Sequence, residues 1–75
     1  MSDLKKIFPG IMILDEEPVE VQNPFSGESC MLDPEEVAVY DYIKSCELLQ
    51  DYKGVRKGLK WFMKKNPQAY MTLLD

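Results

Sequence analysis

Asp33-Pro34-Glu35-Glu36 constrains this 75-residue chain more than any other stretch. An acid able to cap, a proline whose fixed φ suits the first helical position, and a glutamate three residues after the cap together mark a helix start. Apolar residues at Val39, Tyr42, Ile43, Cys46 and Leu49 then fall on one face, which predicts a helix from 33 to about 49. Asn66-Pro67 repeats the cap-plus-proline signal and opens a last short helix carrying Ala69, Tyr70, Leu73 and Leu74. Everything before Asp33 needs a different way to satisfy its backbone.

Between the two starts, Gln50-Asp51-Tyr52 reads as a short connection and residues 53–65 as a second helix with Val55, Leu59, Phe62 and Met63 on its apolar face. Gly54 and Gly58, four apart inside it, each cost about 1 kcal/mol relative to alanine. Such a cost is offset where another backbone comes close, so the glycine stripe is expected to pack against the first long helix or the hairpin.

The N-terminal part punctuates differently. Residues 1–10 form a lead-in, with a helical turn around Leu4, Ile7 and Phe8 stopped by Pro9-Gly10. The apolar run Ile11, Met12, Ile13, Leu14 suits a strand covered on both faces, and without a cover it would be sticky. Val19-Glu20-Val21-Gln22 alternates with period two, Asn23 to Gly27 is a dense turn cluster, and Ser29-Cys30-Met31-Leu32 is the returning strand of a β-hairpin. The expected fold is α+β in one domain: a lead-in (1–10), a short N-terminal strand and β-hairpin (11–32), and a helical part (33–75) of two antiparallel helices plus a short C-terminal helix.

A chain this short buries only about 60% of its unfolded surface, leaving little room for a cleft. Cys30 and Cys46 lack the spacing of a zinc or redox pair and read as reduced thiols. No apolar run approaches the length of a membrane span, and Asp15-Glu16-Glu17 stands where a signal peptide would need small residues. A cytoplasmic protein is the expectation.

Charge is segregated. Eleven carboxylates and one base, Lys44, lie between Asp15 and Asp51, whereas Lys53, Arg56, Lys57, Lys60, Lys64 and Lys65 follow with no acid among them. An antiparallel turn at residues 50–52 would lay the basic helix beside the acidic one, so the two poles are expected to be at least partly in contact. With no histidine, and with acid pairs explained by caps and loops, neither catalytic, metal nor cofactor residues are assigned. The candidate interaction surface is Lys53, Arg56, Lys57, Lys60, Trp61 and Lys64. Trp61-Phe62 among these lysines could stack bases, but a net charge of −4 opposes attraction to nucleic acid. The leading function is a non-enzymatic protein–protein interaction module, with nucleic-acid binding through the basic stripe as the alternative. Ile11, Met12, Ile13 and Leu14 are the candidate contact of a homo-oligomer.

The stretches Asn23-Pro24-Phe25-Ser26-Gly27-Glu28, residues 32–43 beginning Leu32-Asp33-Pro34, and the ending Gly58-Leu59-Lys60-Trp61-Phe62 through Pro67-Gln68-Ala69-Tyr70 to Asp75 resemble small uncharacterised proteins of tailed phages of marine cyanobacteria. The resemblance covers residues 23–75 and implies a phage accessory protein of unassigned role, acting in the host-cell cytoplasm. It supplies no site residues.

Overall fold

Three side-chain caps divide the C-terminal half into helices. The computed structural model describes residues 4–74; residues 1–3 of the lead-in and Asp75 lie outside that range. Among the described residues the order is α1 (Leu4–Ile7), β1 (Val19–Gln22), β2 (Ser29–Leu32), α2 (Pro34–Leu48), α3 (Tyr52–Lys65) and α4 (Pro67–Leu73), an α+β fold. At the start of α2, Asp33 Oδ1 accepts from the Glu36 N–H and Glu36 Oε1 accepts from the Asp33 N–H, each at 3.0 Å. This reciprocal capping box lets Glu36 be buried without an unsatisfied carboxylate. Asp51 caps α3 through the Gly54 N–H at 3.2 Å, and Asn66 caps α4 through the Ala69 N–H at 3.1 Å.

The α2–α3 turn is closed by the backbone. The Asp51 N–H donates to the Cys46 carbonyl at 2.8 Å and the Gln50 N–H to Glu47 at 3.2 Å, the paired bonds of a Schellman motif. The left-handed position of that motif, φ +58°, is held by Gln50 where glycine is the usual occupant.

β1 and β2 pair antiparallel with Val19 opposite Leu32 and Gln22 opposite Ser29. In the connecting turn Asn23 Oδ1 accepts from the Phe25 N–H at 2.9 Å, Gly27 supplies φ +79°, and Asn23 Nδ2 reaches the Thr72 carbonyl of α4 at 3.0 Å. One side chain thus shapes the turn and ties the hairpin to the last helix.

The core joins Leu4 and Phe8 of the lead-in, Leu32 of the hairpin, Val39 and Ile43 of α2, Phe62 of α3, and Ala69 and Leu73 of α4. Its tightest seam is α2 against α3. A Cβ on Gly54 would lie 2.5 Å from Cys46 Sγ, and one on Gly58 would overlap Ile43 Cγ1. The packing of the glycine stripe against α2 is therefore present, but the space at the glycines is filled by the side chains of Ile43 and Cys46 and not by a second backbone.

Three expectations are corrected. Residues 11–14 form no strand: after the Ile11 N–H bonds back to the Phe8 carbonyl at 3.1 Å, the chain runs beside α2, and β1 takes β2 as its ladder partner. Leu49 caps α2 beyond its last turn and is exposed instead of joining the apolar face. Met63, at the margin of the apolar arc of α3, is also left largely exposed.

Candidate interaction surfaces

Spacings of four, three and four residues put Lys53, Lys57, Lys60 and Lys64 on one stripe of α3, about 16 Å long at the helical rise. The glycine seam occupies a different arc, so the stripe does not face α2. What lies beside it is the lead-in. The Phe8 ring is fully buried edge-on between Tyr42 of α2 (centroids 4.9 Å apart) and Trp61 of α3 (6.3 Å). Lys57 lies over the same ring, its Nζ 5.3 Å from the centroid. Such a contact is favourable for a cation and lets the lysine stem cover apolar surface while its head remains at the solvent side.

This wedge has an electrostatic consequence. The ion pair among the described residues is Lys44 to Glu47, at 3.4 Å and within α2. The expected contact between the acidic and basic poles is thus not made through ion pairs among the described residues, and beside Lys57 it is Phe8, between Tyr42 and Trp61, that meets the stripe. The basic stripe is left without carboxylate partners among the described residues.

Ile7, Lys57, Lys60, Trp61 and Lys64 line a shallow open groove of about 290 Å³. Trp61 is half-buried and packs against the core, as its place beside Phe62 allows, while its remaining surface floors the groove. Four of the six residues singled out on α3 are brought together here. Lys53 and Arg56 are exposed but do not line the groove. Ile7 was missed as a groove residue, although its place in the apolar triplet Leu4, Ile7, Phe8 marks it as a residue that a short helix could turn toward a neighbour. The chemistry of this groove is an apolar floor with a border of three cations, suited to holding an apolar group that carries negative charge beside it.

The second candidate surface lies on α2. Ile11 is half-buried against the core, but Met12 and Leu14 are 69% and 77% exposed. Gly10, at φ +85°, turns the chain, and Gly10, Ile11, Met12 and Leu14 line a shallow open hollow of about 270 Å³ with Ala38, Asp41, Tyr42 and Ser45 of α2. Burial raises the Asp41 carboxyl above its usual range, and the nearby charge of Asp15 raises it further. The acidic end of the segment therefore lies near enough to Asp41 for its charge to be felt there.

Both cysteines are free thiols; burial, with Glu36 second, raises that of Cys30. Among the described residues no cluster of three or more His, Cys, Asp or Glu side chains is placed to hold a metal ion, and no helix is long and apolar enough to cross a membrane. No protein-family model, curated protein or solved structure matches the chain.

Proposed function

We propose that the chain is a non-enzymatic interaction module that docks a protein segment, an apolar anchor flanked by carboxylates, in the groove between α1 and α3. One observation carries this reading: Lys57, Lys60 and Lys64 border Trp61 and Ile7 and have no carboxylate partner within the described fold. Cations held around an apolar floor gain from a partner that brings both complements at once. The resemblance to cyanophage proteins makes an accessory role in the cytoplasm of an infected cell part of the same proposal.

The free stripe and Trp61 are also what a single-stranded nucleic acid would use, whereas the net charge of −4 disfavours a polyanion at long range. Trp61 is the single tryptophan of the chain, so its fluorescence reports on the groove directly. Titration with a short peptide of alternating leucine and glutamate is expected to shift Trp61 emission with a Kd on the order of 10–100 μM. Changing Lys57, Lys60 and Lys64 together to glutamine is expected to abolish that response. Absence of any response at chain concentrations where the protein is monomeric overturns the reading. So does binding of an oligothymidylate tighter than about 10 μM at physiological salt, lost in the same variant, which would make the stripe a nucleic-acid surface.

A further inference from the structure

A segment without regular structure carries the charge that the groove lacks. Residues 12–17 read Met12-Ile13-Leu14-Asp15-Glu16-Glu17: three apolar side chains followed at once by three carboxylates. Six extended residues reach about 20 Å, whereas Lys57 to Lys64 spans about 10 Å of helix. The segment is long enough to lay an apolar side chain on Trp61 and Ile7 and still place its acids beside the lysines. We propose that the groove of one copy of this chain receives residues 12–17 of a second copy, and that two copies exchange these segments reciprocally.

Three observations support a second copy as the occupant. The charges are complementary, three lysines against three consecutive acids. The segment has no regular structure, exposes Met12 and Leu14, and borders an open hollow on α2, so little packing is lost when it leaves that helix. Its present seat sets Asp15 near Asp41, a repulsion that the basic groove would replace by attraction. A reciprocal exchange doubles a contact that is small when made once and closes as a two-fold dimer.

The inference rests on the groove reading above, and the experiment separates the two. Sedimentation velocity of the full chain from about 1 to 500 μM is expected to show a monomer–dimer equilibrium whose Kd rises at least tenfold between about 50 and 500 mM salt. A groove variant (Lys57→Glu, Lys60→Glu, Lys64→Glu) and a segment variant (Asp15→Lys, Glu16→Lys, Glu17→Lys) are each expected to remain monomeric. Their equimolar mixture is expected to dimerise, since each mixed contact again pairs opposite charges. A control with the same change of net charge away from the groove (Lys53→Glu, Arg56→Glu, Lys65→Glu) is expected to dimerise like the parent. Circular dichroism confirms that all variants are folded before they are compared.

A parent that is monomeric throughout, a mixture that does not associate, or a control as monomeric as the groove variant overturns the exchange. If the leucine–glutamate peptide still shifts Trp61 in a monomeric parent, the groove stands and the second copy falls. If neither the peptide binds nor the mixture associates, both fall.

Discussion

Helix α2 is covered on two sides by segments of opposite character. Against α3 it meets glycines, and Ile43 and Cys46 occupy the space that side chains there would need. Against residues 10–14 it meets a chain without regular structure that leaves Met12 and Leu14 exposed and an open hollow between the two. Both neighbours are rich in apolar residues. The difference lies in shape and charge: one seam interlocks and keeps the bases of α3 away from it, while the other leaves Met12 and Leu14 exposed and brings the charge of Asp15 near Asp41. Apolar composition alone does not bind a segment to its neighbour; complementary relief does.

The largest expected effect breaks the tight seam. Gly58→Ala places a methyl inside Ile43 Cγ1 and 3.0 Å from its Cδ1. Overpacking, partly offset by the better helix propensity of alanine, is expected to destabilise the chain by about 2 kcal/mol in urea unfolding. Gly58→Ala should cost less in an Ile43→Ala background than in the parent, because the two positions share one contact. A Gly58→Ala chain as stable as the parent would mean that the seam is not the tight one.

Asp33→Ala comes next. Loss of the capping box is expected to cost about 1 kcal/mol, read as a lower Tm. The opposite sign is expected at the turn that follows α2. Gln50 holds φ +58° with a side chain that disfavours it, so Gln50→Gly should stabilise by up to about 1 kcal/mol. A neutral or destabilising Gln50→Gly would show that the glutamine contributes something its backbone angle conceals.

How much of this was legible follows from the range of each signal. Asp33 with Glu36, Asn66 with Pro67, and Asn23 with Gly27 act within four residues, and each is found doing locally what its spacing predicts. The glycine stripe was readable as a close approach because its cost needs an offset. The run at 11–14 was misread because four apolar residues say nothing about whether a ladder partner is free, and β1 pairs with β2. The charge poles were misread for a related reason. Helical periodicity places Lys57 and Lys60 on an arc, but only the packing of Phe8 between Tyr42 and Trp61 decides what that arc faces. The same wedge brings Ile7 to the groove, a tertiary fact with no counterpart in spacing along α3.

On the loose side the effects on stability are expected to be small. Met12→Ser with Leu14→Ser removes apolar atoms that water already reaches, so urea unfolding of the monomer should change by less than about 0.5 kcal/mol. The same pair of changes should weaken self-association, because those are the side chains offered to the groove of a second copy. A loss of stability near that of Gly58→Ala would show that the segment is as firmly seated as α3, and the contrast between the two sides would disappear.

The smallest expected effect sharpens the electrostatic half of the contrast. Burial and the charge of Asp15 both raise the Asp41 carboxyl, so the folded chain holds that proton more tightly than the unfolded one. Stability on this account is greatest at low pH and falls as pH rises through the carboxylate range. Asp41→Asn removes the charge and with it the penalty, so Tm should rise slightly at pH 7 and match the parent below about pH 3, where Asp41 is protonated in both states. It should also weaken self-association, because residues 12–17 then lose less repulsion by leaving their own α2. A Tm difference that is the same at both pH values would assign the effect to packing around Ser45 and Ala38, and like-charge repulsion would no longer distinguish this side of α2 from the glycine seam.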